Sequence, residues 1–195
     1  MMNVLDLWKQ DAPSVSFEVF PARTDKAAAN FEKALAELAA LKPDFMSVTF
    51  GAGGSTKDGS LQLVKRLHAL DIETMAYFAG FGLGPDEITG VLDTYKTEGV
   101  ENVLIVRGDP PHNADDFKPH PDSFKYASEM LAYVRPKFGF AMGVAGYPEG
   151  HIDNRDMDKN IEVLKMKVET GAQFIIANYF YDNNFYFDFV KRARQ

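Results

Sequence analysis

Polar side chains stand near the ends of almost every apolar segment, and together they offer an acidic group and a polar rim on which an enzyme could work. Glu18 lies inside SVSFEVF, between Phe17 and Val19. A carboxyl group in an apolar strand is costly unless paired or protonated. Burial favours its neutral form, which is how a carboxylic acid stays able to donate a proton near neutrality. The alternative is a buried ion pair with Arg23 or Arg107. The apolar run NVLIV leads into Arg107-Gly108-Asp109. There a guanidinium can grip a phosphate, glycine admits close backbone approach, and a carboxylate accepts from ring N–H groups. An Arg–Asp pair capping the strand is the other account of the triplet. Thr49 closes FMSVTF, Tyr77 lies within ETMAYFA, Tyr147 and His151 follow FAMGVAGY, and Asn178 interrupts FIIANYFY.

Other features carry less chemistry. FGAGGST lacks the spacing and the lysine of a phosphate-binding P-loop, so it reads as a flexible turn. His68, His112, His120 and His151 show no ligand spacing, and no metal is expected. The aromatic run NYFYDNNFYFDF reads mainly as core, with stacking on a planar ligand as the alternative.

The elements that must position these residues follow from hydrophobic patterning. Six short apolar runs, at 14–20, 45–50, 73–79, 102–108, 140–147 and 174–181, have the length and the Val, Ile, Phe and Tyr content of buried strands. Amphipathic stretches separate them. In DKAAANFEKALAELAALKP, Phe31, Leu35, Leu38 and Leu41 share a helical face, with Pro43 as the stop. PDEITGVLDTYKTEG opens on Pro85 with acidic residues in its first turn and ends at Gly99. SLQLVKRLHAL, SFKYASEMLAYVRPK, MDKNIEVLKMKVETGA and FYFDFVKRARQ supply the remaining helices.

Such β-α alternation predicts a parallel sheet with right-handed crossovers. A doubly wound sheet normally carries a glycine-rich first turn, whereas the first strand here ends in EVFPART. A (β/α)8 barrel takes about 250 residues. The expectation is therefore an α/β, TIM-type barrel truncated after about six β-α units, one incomplete domain spanning 1–195. A complete six-stranded open sheet is the alternative. The stretch 109–123, rich in Pro and Asp, reads as a long loop over a site.

Composition narrows the function. A net charge of −7 argues against a nucleic-acid partner, which needs a basic surface. The absence of cysteine excludes disulfides and thiolate catalysis. MMNVLDLWKQDAPS has no signal-peptide pattern, and no apolar run approaches the ~20 residues of a membrane helix. A soluble cytoplasmic protein with no membrane partner is expected.

The segments SFEVFPART, LKPDFMSVTFGAGGST, NVLIVRGDPP, VAGYPEGH and LKMKVETGAQFIIANYFYDN, in this order, resemble the methylenetetrahydrofolate reductase family over nearly the whole chain. RGDPP followed by GYPEGH is a specific combination. The resemblance implies a (β/α)8 barrel in which NADH or NADPH reduces bound FAD, with FMN as the alternative flavin. It implies hydride delivery to 5,10-methylenetetrahydrofolate, opened by proton donation at N10 to a 5-iminium ion. Glu18 would be the general acid. Asp109 would contact the pterin and help stabilise the cation beside the flavin. Thr49, Phe50, Ala52, Tyr77, Arg107, Gly108, Ala127, Tyr147, His151, Asn160 and Lys167 fall where the family contacts cofactor, Lys167 being the phosphate partner on charge grounds. Asn178, with Glu18 and Asp109, falls where the substrate is held. The resemblance admits a homo-oligomer, and no stretch of the sequence marks an interface.

Several positions depart from the family pattern. Tyr77 stands where a histidine is common, Ala177-Asn178 where Thr-Gln is common, Asn160 where the residue is often acidic and Met166 where it is often basic. Asn178 shortens the reach of the glutamine amide by one methylene. Two rival functions stay open: a flavin- or pterin-binding homologue without turnover, and another pterin-using barrel enzyme such as a methyl transferase. An open barrel exposes strand edges and core, so the chain alone is expected to be aggregation-prone.

Overall fold

Strands form where the apolar runs fall, and helices between them. The computed structural model describes residues 3–22, 24–51, 57–110 and 117–195, leaving out the side chains at 25 and 57. The strands are β1 Ser16–Val19, β2 Phe45–Val48, β3 Thr74–Ala79, β4 Asn102–Val106, β5 Ala141–Gly146 and β6 Phe174–Ala177. The helices are α1 Val4–Leu7, α2 Asp25–Ala40, α3 Lys57–His68, α4 Pro85–Thr97, α5 Ala127–Val134, α6 Met157–Glu169 and α7 Asn183–Ala193.

Local chemistry sets the helix boundaries. Thr24, Asp156 and Asp182 accept from the first-turn amides of α2, α6 and α7. Pro85 opens α4, where the Glu87 carboxylate takes the amide of Gly84 at 2.8 Å. Beyond the end of α4, Gly99 adopts φ 79, a left-handed conformation that glycine takes without a Cβ penalty.

All neighbouring strands pair in parallel, and their order in the six-stranded sheet is their order in the chain. A doubly wound sheet reverses its strand order partway across. Sequential order is that of a barrel wall, and the chain forms a curled half-barrel of the TIM type with β1 and β6 at its two edges.

Alternation along the strands divides the core in two. Met46, Val48, Ala76, Phe78, Val103, Ile105, Met142 and Val144 face the helices and pack with Leu67, Ile88, Leu92, Leu131 and Leu164. Phe45, Met75, Leu104, Ala141 and Phe174 face the concave side and pack with Val4 and Leu7 of α1. That short helix, which hydrophobic patterning does not reveal, lies over the N-terminal ends of the strands. The Val4 amide donates to Asn102 Oδ1 at 2.9 Å, while Asn102 Nδ2 donates to the Thr74 carbonyl at 3.1 Å. Trp8, just beyond α1, stands edge-on to Phe45 and Phe174, with ring centroids 6.2 and 5.3 Å away. With that end covered, polar groups are left to the C-terminal ends of the strands. Among the described residues no helix is long and apolar enough to cross a membrane.

Candidate active site

The strand register brings Glu18, Ser47 and Tyr77 onto the concave face. Glu18 pairs with Ser47, and Ser47 with Met75, two residues before Tyr77 on the same side of β3. Tyr77 reaches across β2, and its hydroxyl donates to Glu18 Oε2 at 2.6 Å. Burial, and next the hydrogen bond to and charge of Glu18, push the Tyr77 phenol well above its ordinary value, with Ser47 opposing. The phenol therefore keeps its proton and acts as a donor. From α4, Tyr95 Oη donates to the Tyr77 carbonyl at 3.1 Å.

This placement corrects the expectation of a buried Glu18. The residue is exposed, on a strand that lies at the edge of the described sheet. Arg107, offered as an ion-pair partner, instead faces Asp109 Oδ1 at 3.9 Å and Asp153 Oδ2 at 3.8 Å. Arg23 lies outside the described residues.

The second group of polar residues lines a cleft of about 400 Å³ between the C-terminal ends of β4 and β5 and the helices α5 and α6. Its walls include Arg107, Ala127, Tyr147, His151, Asn160 and Lys167, all expected from the sequence to touch cofactor, and also Asp153, which sequence reasoning missed. Asn160 Oδ1 accepts the His151 amide at 3.1 Å, and its Nδ2 donates to the carbonyls of Asn154 and Asp156 at 2.7 Å each. The amide thus braces the loop between β5 and α6 to the first turn of α6. His151 Nδ1 accepts the Asp153 amide at 3.1 Å, so Nε2 carries the hydrogen in the neutral ring. The ring stands edge-on to Tyr147 at 4.7 Å. Burial raises the Tyr147 phenol, with Arg107 opposing and the charges of Asp109 and Asp153 adding to the rise.

Lys167 supplies the positive charge of the inner wall. Its Nζ donates to the Ala145 carbonyl at 3.1 Å and lies 5.8 Å from the Tyr147 ring centre. Burial lowers its pKa from the ordinary 10.5. Gly108, at φ 81, takes the chain out of β4, and a Cβ there would lie 2.8 Å from that of Ala79. Only glycine fits that turn, which carries the exposed Asp109 outward beside Arg107.

The remaining expectations are distributed differently. Thr49 follows β2, donates its amide to the Val19 carbonyl at 3.2 Å, and accepts from Ser60 Oγ at 2.7 Å through its own carbonyl. The Phe50 ring packs 5.6 Å from Phe78 on the helix side, so its side chain serves the core. Ala52 lies outside the described residues. Asn178 is exposed beyond β6, its amide donating to the Gly146 carbonyl at 2.7 Å. The aromatic run that follows is corrected from core to largely exposed: Tyr179 and Tyr181 are 77% and 86% exposed, and of the run only Phe189 is buried. Tyr179 and Tyr181 lie between β6 and α7, and on α7 Phe185 and Phe187 are exposed while Phe189 turns to the core. Strand alternation held the signal for Ser47, since it lies two residues before Thr49 and opposite Glu18.

Comparison with known proteins gives one family for the sequence and a barrel fold for the structure. The family model described as methylenetetrahydrofolate reductase matches residues 3–195. Methylenetetrahydrofolate reductase (NADH) 1 of Arabidopsis thaliana is 34% identical over 210 residues, covering 100% of this chain and 36% of that protein. Methylenetetrahydrofolate reductase 2 of Schizosaccharomyces pombe is 35% identical, covering 92% of this chain and 30% of its own length. The chain thus spans about a third of these relatives. Among solved structures, an uncharacterized Clostridium thermocellum protein that binds two copies of 5-methyl-5,6,7,8-tetrahydrofolic acid superposes with TM-score 0.69 at 14% identity, over 98% of this chain and 63% of its own. A phosphoenolpyruvate phosphomutase from Streptomyces platensis subsp. rosaceus superposes with TM-score 0.64 at 16% identity, over 100% of this chain and 70% of its own. At such identities these two likenesses speak for the fold alone.

Proposed function

The chain belongs to the methylenetetrahydrofolate reductase family, and on that premise we propose that it carries the flavin cleft and proton donor of a reductase. The reaction is reduction of 5,10-methylenetetrahydrofolate to 5-methyltetrahydrofolate at the expense of NADH, the donor in the name of the Arabidopsis thaliana relative. The observation that carries this reading is the cleft beside β4 and β5. Residues far apart in sequence, which the family resemblance assigns to cofactor, line that one cavity.

The donor set fits a flavin nucleotide. Lys167 and Arg107 offer cations to phosphate, Asn160 and the His151 loop offer fixed polar groups, and Tyr147 offers a ring face. FAD is the flavin this reading takes, with FMN as the alternative. A bound flavin supplies the two-electron chemistry that the chain's own side chains lack. Glu18 holds the proton that passes to N10 of the folate. Asp109, on the loop after β4, contributes negative charge to a cationic folate intermediate.

The test uses the protein at its natural length. It should purify yellow, be bleached by NADH, and recover its colour with methylenetetrahydrofolate. Glu18→Gln should still bleach with NADH and fail to recover with the folate. A folded, colourless protein that neither FAD nor FMN reconstitutes would overturn the reading.

A further inference from the structure

Tyr77 stands where the sequence suggests a cofactor contact, yet its hydroxyl is committed to Glu18. We infer that Tyr77 is a positioning residue for the general acid, fixing which oxygen of Glu18 carries the proton. This rests on the reductase reading, in which Glu18 is the acid. The phenol donates to Oε2 at 2.6 Å. In a protonated carboxyl the carbonyl oxygen is the better acceptor, so a donor fixed on Oε2 leaves the acid hydrogen on Oε1. The carboxyl is then loaded on one side only.

The Oε1–H bond breaks, its electron pair stays on Glu18, and the proton goes to the folate nitrogen. Tyr77 keeps its own proton throughout, and its hydrogen bond becomes charge-assisted as the carboxylate forms. The interaction is thus stronger after proton transfer than before it, the condition for lowering a barrier. Two features hold the phenol in place: Tyr95 fixes the Tyr77 backbone from α4, and Ser47 sits beside the hydroxyl from β2.

The inference separates the two halves of turnover. In the natural-length protein, Tyr77→Phe should slow recovery of colour with methylenetetrahydrofolate by roughly 10- to 100-fold, the value of a hydrogen bond to a charged group. Flavin retention, bleaching by NADH and the KM for the folate should stay within about twofold, because the bond concerns proton delivery and not ligand affinity. Tyr77→His, which keeps a ring and a donor, should recover part of the loss. Should Tyr77→Phe fold poorly, the second measurement carries the test: with tyrosine labelled at 13Cζ in the natural-length protein, the Tyr77 resonance should shift in Glu18→Ala and stay in Asp109→Ala.

Wild-type recovery in Tyr77→Phe, or an unmoved Tyr77 resonance in Glu18→Ala, overturns the inference. So does slowed bleaching or loss of flavin in Tyr77→Phe, which would place the phenol on the cofactor. These results are distinct from failure of the underlying reading, which would show as normal recovery of colour in Glu18→Gln.

Discussion

Lys167 Nζ donates to the Ala145 carbonyl oxygen at 3.1 Å, setting an ammonium from α6 against the end of β5 inside the cleft. One strand carbonyl leaves donors on that ammonium for an anionic ligand. Lys167→Met should weaken flavin binding by about 10- to 100-fold, the range for a charge-assisted contact. Titration of flavin fluorescence measures it, and unchanged affinity would remove Lys167 from the cofactor site.

The same lysine makes a pH prediction. Burial lowers its pKa from 10.5, so the folded protein sheds this proton at a lower pH than the unfolded chain. Between the lowered value and 10.5 the unfolded state binds more protons, and stability rises with pH in that window. Flavin affinity falls over the same range as the cation is lost. Denaturant unfolding and flavin titration as functions of pH check the two trends, and Lys167→Met should abolish both.

Asn102 ties α1 to the sheet through its buried amide. Asn102→Ala removes the acceptor of the Val4 amide and the donor to the Thr74 carbonyl, a loss of about 2 kcal/mol. Urea unfolding should register it. Amide exchange should accelerate through α1 while α4 stays protected.

Gly143 leaves room for the Phe174 ring, which a Cβ would overlap. Phe174 is buried and held by Trp8, so it has little freedom to yield. Gly143→Ala should destabilise by about 1–3 kcal/mol, as overpacking does, read as a lower thermal midpoint. An unchanged midpoint would mean that the concave core is looser than its contacts indicate.

Apolar surface at one end of the sheet predicts self-association. Tyr179, Tyr181, Phe185 and Phe187 are all exposed beside the edge strand β6. The 195-residue chain should elute above its 21.8 kDa mass in size-exclusion light scattering at micromolar concentration. Tyr181→Lys with Phe187→Lys should restore the monomer. A monomeric, cooperatively unfolding wild-type chain would refute this.

Legibility in the sequence followed the range of the interactions. Continuous apolar runs marked all six strands, since parallel strands covered on both faces lack polar interruptions. Pro85 and Gly99 marked the ends of α4 through backbone preferences that act locally. The cleft was legible only through family resemblance, because Arg107, Tyr147 and Lys167 meet by tertiary folding. The state of Glu18 was misread because an apolar strand looks alike at the middle and the edge of a sheet. α1 escaped notice because one helical turn has no periodicity, and its place depends on Asn102, Phe45 and Phe174. The aromatic run on α7 was misassigned for a related reason: ring content reports what a residue could bury, whereas helix orientation decides what it does bury.

The position of α1 also fixes an order of events in time. Strands that pair in chain order can each dock on the one already made, so β1 to β5 need nothing that has yet to emerge from synthesis. α1 is the exception, since Trp8 requires both Phe45 and Phe174. The contacts of Trp8 are thus complete only once β6 has been made, so the docking of α1 reports that the sheet has grown to its sixth strand.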